Sequence, residues 1–405
     1  MRINIEAHRT DIEPAFHWIG GLIGADLDRR VAGFERQERK NPLLTNHFRE
    51  NFPLEFALAK ARKYRKSTGR LPKGDEYDHL YGFLIPAHRI DTALPVEARI
   101  PYEGRLRYAV NSAYGARPFA YEISIASHLM GKGWDIDFAD YSGAARFDFL
   151  ARRDSAEIEV ECKSTSGDTG RKIHRQEVVR LADLLLPTTE QLADVAGCHF
   201  IRVILPDRLG KSNEELSRIS STVADAAVRR GAASNDLAQV EYNFKDLASW
   251  PQPGRDEGAR EFFEQRFGYT NSNLLFHGRP NFSVVAVMIR SAKADKVVDA
   301  ISGEAKDAAD QCSGTRPALL AIHLIDQIGR AELHELLTSQ SGLHTITHAV
   351  FKDDKRLHVD SVVFTVSQVA RTDNSGATRL SGNAVGLYNP TPKFSCPAVR
   401  SIFRA

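Results

Sequence analysis

Cysteine is scarce in this chain of 405 residues: Cys162, Cys198, Cys312 and Cys396 stand far apart, with no paired spacing. That excludes a disulfide framework and a zinc knuckle, and it fits a reducing compartment. No apolar run reaches the ~18 residues that a membrane-spanning helix needs. The opening MRINIEAHRTDIEP also lacks the apolar core of a signal peptide. The expectation is a cytoplasmic protein with no membrane partner. An excess of one charge is missing too. Lys and Arg number 54 against 52 Asp and Glu, giving a net charge of +2 and a pI near 8.3. Such a balance excludes a uniformly basic surface, so any contact with nucleic acid must be local. Repeats, low-complexity tracts and a GxxxxGK(S/T) loop are absent, which excludes a solenoid and a P-loop motor of recognisable type.

What is present is length enough for two or three domains and one unusual stretch, AARFDFLARRDSAEIEVECKS, at residues 144–164. Residues 145–150 and 156–163 are rich in strand-forming Phe, Ile and Val, and Arg-Arg-Asp-Ser between them is turn material, so the stretch reads as a hairpin. Alternation sends Ile158, Val160 and Cys162 to one face and Glu157, Glu159, Glu161 and Lys163 to the other. Asp148, flanked by Phe147 and Phe149, joins the charged face if the two apolar faces coincide. Two carboxylates converging with one ammonium suit a hard divalent cation such as magnesium, which takes one or two carboxylates and fills its shell with water and substrate phosphate. The lysine can then orient or deprotonate a water, or steady charge on the phosphate. The competing reading is a hairpin whose charged face lies in water. An acid-x-Lys triplet does not decide between them, since it recurs at Glu38 to Lys40, Glu304 to Lys306 and Asp353 to Lys355.

In chain order, residues 1–116 read as a mainly helical region, with a strand or two in the apolar stretch 81–100. Lys60, Arg62, Lys63, Arg65, Lys66, Arg70 and Lys73 crowd one part of it. They make either a phosphate-binding surface, with Lys63, Arg65 and Lys66 at its centre, or a solvated helix face. Pro118 then starts a helix that Gly131 stops. Its apolar stripe is Phe119, Ile123, Ala126, Leu129 and Met130, and Glu122 falls inside that stripe. A carboxylate aimed at a core needs a partner, which is either a structural one or the hairpin's metal site. A strand at 133–138, the hairpin, a helix at 171–186 and a strand at 198–205 complete the unit.

This order of helix, three strands, helix and strand, with Asp148 followed thirteen residues later by Glu161-Cys162-Lys163, resembles the PD-(D/E)XK nuclease superfamily. The resemblance covers residues 117–207. It implies a restriction-endonuclease-like αβββαβ core in which Asp148, Glu161 and the Cys162 backbone carbonyl hold Mg2+ or Mn2+, and Lys163 activates or positions water. Glu122 is similar to the helix acid of many such nucleases, and Gln176 to a glutamine of the RecB-like branch. Arg180 stands where that branch carries tyrosine, and Phe147 where the motif carries proline. Arg171, Lys172, His174 and Arg175, at the start of the second helix, are placed to hold a scissile strand at the helix's positive end.

The remaining expectations concern organisation. A helix spans 212–230, and WPQPG near Trp250 marks a linker over 246–281. A second α/β domain covers 282–405, with strands at 282–289, 318–325, 344–351 and 358–366 and helices at 293–312 and 331–337. The fold class is thus α/β: a helical region at 1–116, a nuclease-like domain at 117–245, the linker and the C-terminal domain. His323, His334, His344, His348 and Asp326 offer donors for a second metal site, but no compact zinc spacing. The chemistry expected is Mg2+-dependent hydrolysis of phosphodiester bonds in DNA, or else RNA, by endonucleolytic or exonucleolytic cutting in defence, restriction or repair. The alternative is an inactive nuclease-fold scaffold or nucleic-acid-binding protein. A homodimer contact or partner protein would use the C-terminal domain.

Overall fold

The computed structural model describes all residues except 5–7, 46, 142, 144, 248–271, 325–341, 367–368, 373–377, 382–383 and 404–405. The amino-terminal region is helical throughout: α1 (Arg9–Lys40), α2 (His47–Asn51), α3 (Pro53–Thr68), α4 (Asp78–Ala93) and α5 (Val96–Asn111). The strands expected within 81–100 are instead α4 and the start of α5. Tyr81, Phe83, Leu84, Ile85, Ala87 and Ile90 are all buried around α4. The more open stripe of α4 runs through His79, Gly82, Pro86 and Arg89, and its glycine and proline do not read as a polar helical face, so the apolar run resembles a buried strand.

Next come α6 (Arg117–Gly131), with proline in its first turn as expected, and β1 (Asp135–Asp137), β2 (Phe149–Arg153) and β3 (Ala156–Thr165). The hairpin forms in antiparallel register, Phe149 opposite Val160 and Arg153 opposite Ala156. Asp154 adopts φ 54° in the two-residue turn, a left-handed conformation that Asp tolerates.

From there the chain departs from the expected order. α7 (Arg175–Ala193) leads to β4 (Gly197–Leu205), and α8 (Asn213–Arg229) follows with a reciprocal cap between Ser212 and Glu215. β4 does not join the hairpin's sheet. It pairs antiparallel with β6 (Gln239–Lys245) and parallel with β8 (Ser283–Ser291), in a five-stranded sheet that β5 (Ala232–Ser234) and β7 (Ser272–Arg279) complete. The neighbour of β3 is β9 (Ala318–Leu324), which runs parallel to it with Glu161 beside Leu320 and Cys162 beside Ala321. The helix α9 (Val297–Gln311) precedes β9. The hairpin's sheet has the order β1-β2-β3-β9-β10-β13, with β10 spanning Val359–Thr365 and β13 Ala384–Tyr388. A separate two-stranded ribbon joins β11 (Val369–Thr372) to β12 (Thr378–Ser381).

Two compact units result. One comprises residues 1–32, 49–169 and 298–405, the other residues 33–48 and 170–297. The expected boundaries at 117, 246 and 282 therefore do not separate the units, and 282–405 is not a domain of its own: β8 belongs to one sheet, β9 and β10 to the other. Residues 272–279, expected as linker, form β7, and 344–351, expected as a strand, lie in the helix α10 (Leu343–Phe351). Within the first unit, Ile123, Ala126 and Leu129 of α6 join Phe149, Ala151, Ile158, Val160, Leu319, Ala321 and Val363 in one core. Among the described residues, no helix is long and apolar enough to cross a membrane.

Candidate active site

Asp148 immediately precedes β2, and continuing the hairpin register places it opposite Glu161. The two acids are tied across the strands: the Asp148 N–H donates to Glu161 Oε2 at 3.2 Å, and the Cys162 N–H donates to Asp148 Oδ2 at 2.7 Å. Lys163 shares the face of Glu161, two positions along the strand. Its Nζ lies 2.6 Å from Glu161 Oε1 and donates to Gln311 Oε1, at the end of α9, at 3.0 Å. Glu122 arrives from α6. It accepts from Tyr141 Oη at 2.8 Å through Oε1 and meets Arg105 Nη2 at 2.8 Å through Oε2.

Arg105, on α5, links these groups. Its Nη2 also reaches Asp148 Oδ1 at 3.3 Å, its Nη1 reaches Asp140 Oδ2 at 2.6 Å, and the guanidinium lies over the Tyr141 ring. The acids are inside: Glu122 and Glu161 are 2% exposed and Asp148 6%. The cations are less so, with 36% of the Arg105 side chain and 27% of Lys163 open to solvent. This burial excludes the competing reading of a hairpin with a solvated charged face. A strand between two others, with a parallel neighbour, is covered on both faces, and here even Glu159 is fully buried, accepting from the Ser313 N–H at 2.7 Å.

Burial, and then the charge of Asp148, push Glu122 up to about 8 and Glu161 up to about 7. Burial raises Asp148 as well, against the pull of Arg105. Against this, the Tyr141 hydroxyl donating to Oε1 and the Arg105 guanidinium beside Oε2 pull Glu122 back towards its ionised form. Burial alone disfavours the Arg105 charge, but Glu122, Tyr141, Asp148 and Asp140 outweigh it and hold the guanidinium protonated. Three buried acids thus face two partly exposed cations, and a proton or a further cation completes the charge balance of the cluster.

Compared with known proteins, the chain matches no family model, no curated protein and no solved structure. The site therefore has to be read on its own chemistry. Among the described residues, no group of three or more His, Cys, Asp or Glu side chains is arranged to hold a metal ion. Magnesium needs only one or two protein carboxylates, and the all-oxygen donor set of Asp148 and Glu161 fits a hard divalent cation. His344 and His348 lie on α10 rather than on a strand, and His334 and Asp326 lie outside the described residues.

Of the residues expected here from the sequence, Glu122, Asp148, Glu161 and Lys163 come together, and Cys162 joins them through its N–H. Gln176 does not: it is an exposed residue of α7, in the second unit. The glutamine beside the lysine is Gln311. Arg171, Lys172 and Arg175 also belong to the second unit, where Arg171 pairs with Asp295 at 3.1 Å and Lys172 with Asp207 at 2.8 Å. Within the basic run of α3, Arg65 pairs with Glu13, Arg62 with Asp28 and Lys60 with Glu76. Lys63 and Lys66 are exposed one turn apart on α3, with Tyr64 beside them, and Arg70 is exposed just past the helix end at Thr68. Arg105, Tyr141 and Gln311 were not apparent from the sequence. Arg105 stands 43 residues before Asp148 and Gln311 148 residues after Lys163, with no local pattern marking either.

Proposed function

We propose that this protein is a divalent-metal-dependent nuclease that hydrolyses phosphodiester bonds in DNA or RNA. The observation that carries the reading is the burial of Asp148 and Glu161 at facing positions of the hairpin, with Lys163 anchored beside them. The topology supports it from a second direction. Taken in order, α6, β1, β2, β3, α9 and β9 follow the αβββαβ succession of the PD-(D/E)XK core, residues 170–297 being inserted between the third strand and the second helix.

Asp148 and Glu161 would hold Mg2+ or Mn2+, which when bound polarises a phosphoryl oxygen and lowers the pKa of a coordinated water. Lys163 Nζ, fixed by Glu161 and Gln311 yet partly open, is placed to donate to a water or to an anionic phosphate oxygen. Glu122, buried and poised near neutrality, is a second acceptor behind Asp148. The exposed cations of α3 offer a local surface for backbone phosphates.

The test compares Asp148→Ala, Glu161→Ala and Lys163→Ala for cleavage of plasmid, linear and single-stranded substrates and for Mn2+ binding by calorimetry. Loss of either carboxylate is expected to abolish both cleavage and metal binding. Lys163→Ala removes a positive charge that repels the metal, so binding should persist or tighten while cleavage slows by orders of magnitude. A parent protein that binds no divalent ion and cuts no substrate, with variants indistinguishable from it, would leave a non-catalytic scaffold as the reading.

A further inference from the structure

The two oxygens of Asp148 are not equivalent. Oδ2 takes the backbone N–H of Cys162 at 2.7 Å and so belongs to the hairpin. Oδ1 is the oxygen left for a cation, and Arg105 Nη2 holds it, while the same nitrogen bridges to Glu122 Oε2. Glu161 is similarly divided between the Asp148 N–H and Lys163. The guanidinium is therefore the positive charge that the acid cluster requires when nothing else supplies it. Its surroundings differ from those of its partners. The three acids are buried and tied to strands or to Tyr141, whereas the Arg105 side chain is one-third exposed and also reaches Asp140, itself 42% exposed at the side chain.

Resting on the nuclease reading above, we propose that Arg105 and a divalent metal ion exchange for one oxygen, Asp148 Oδ1. In the metal-free protein Arg105 bridges Glu122 and Asp148 and keeps the acids from repelling one another. On loading, the ion takes Oδ1 and the guanidinium withdraws to Asp140. Arg105 is thus a positioning residue that lowers metal affinity in return for an assembled metal-free site. Two cations cannot share the oxygen at close range, since like charges a few ångströms apart repel strongly away from bulk water.

The experiment titrates MnCl2 into the full chain and into Arg105→Gln, Arg105→Lys and Asp148→Asn variants by calorimetry, and records their melting with EDTA and with saturating Mn2+. Arg105→Gln should bind Mn2+ about tenfold more tightly than the parent, melt lower in EDTA and gain more on loading. Arg105→Lys, a point charge that cannot bridge both acids as the fork does, should fall between the two and carries the test if the glutamine variant does not fold. Asp148→Asn should lose Mn2+ binding. Binding by the arginine variants but not by the parent would support exchange in its strongest form. Affinities in both arginine variants equal to or weaker than the parent's would overturn the exchange and leave the nuclease reading intact. Mn2+ binding that survives in Asp148→Asn would also overturn it. Absence of binding in every protein would remove both.

Discussion

Glu122 sits where burial and the charge of Asp148 act in the same direction, and the result is a glutamate poised near neutral pH. From an ordinary 4.5, its pKa rises to about 8 and that of Glu161 to about 7. An acid with a raised folded pKa binds protons more readily folded than unfolded. Its contribution to stability is complete below the unfolded pKa of 4.5 and is lost as pH climbs through about 7 for Glu161 and about 8 for Glu122. In EDTA the melting temperature should therefore fall across this window. Glu122→Gln cannot ionise there, so its melting temperature should fall less over the same range. Equal slopes for the two proteins in scanning calorimetry would assign the titration to other groups. The same residue illustrates what periodicity reveals: its place in the apolar stripe of α6 showed that it is buried, but not that Tyr141 and Arg105 are its partners.

Among the elements, α3 carries the clearest division of labour. Its inner cations are engaged with Asp28 and Glu13, while Lys63 and Lys66 face water one turn apart and Arg70 is exposed just past the helix end. If this face binds nucleic acid, replacing those three by Gln should flatten the salt dependence of duplex binding by roughly 0.9 log unit for each phosphate no longer neutralised. Arg65→Gln should change the slope less, because its guanidinium already answers to Glu13 at 3.1 Å. A slope indifferent to the triple substitution would make the face a solvated one. The sequence pointed to this helix but weighed its cations alike, since charge runs carry no information about which members find acids elsewhere in the fold. α4 shows the converse error: its apolar residues were legible as buried, but its more open stripe carries Gly82 and Pro86 instead of charged residues and so blurs the 3.6-residue rhythm that distinguishes a helix from a strand.

On the scale of the molecule, residues 170–297, the larger part of the second unit, form an insertion whose chain ends meet. Gly170 O accepts the Lys296 N–H at 2.8 Å, so the backbone enters and leaves the insertion side by side. Gly170 adopts φ +70°, and a Cβ there would come within 2.5 Å of Lys296 O. Both features demand glycine. Gly170→Ala should cost about 2 kcal/mol and lower the melting temperature measured by circular dichroism by several degrees. An unchanged transition would mean that the junction opens without consequence. The insertion also explains why the helix and strand that follow the hairpin in the chain, α7 and β4, are not the ones that complete its sheet.

The sequence by itself determined the hairpin, the helix before it and the face on which Asp148, Glu161 and Lys163 meet. These follow from alternation, turn residues and helical spacing, all of which act over a dozen residues or fewer. Only the tertiary structure decided that β9 and not β4 lies beside β3, that Gln311 rather than Gln176 steadies the lysine, and that Arg105 closes on the acids. Parallel pairing leaves no turn signal, and a buried apolar strand such as ALLAIHL fits beside either sheet by pattern alone. Which neighbour it takes depends on packing between residues far apart in the chain, and that packing exists only once the sheet has formed.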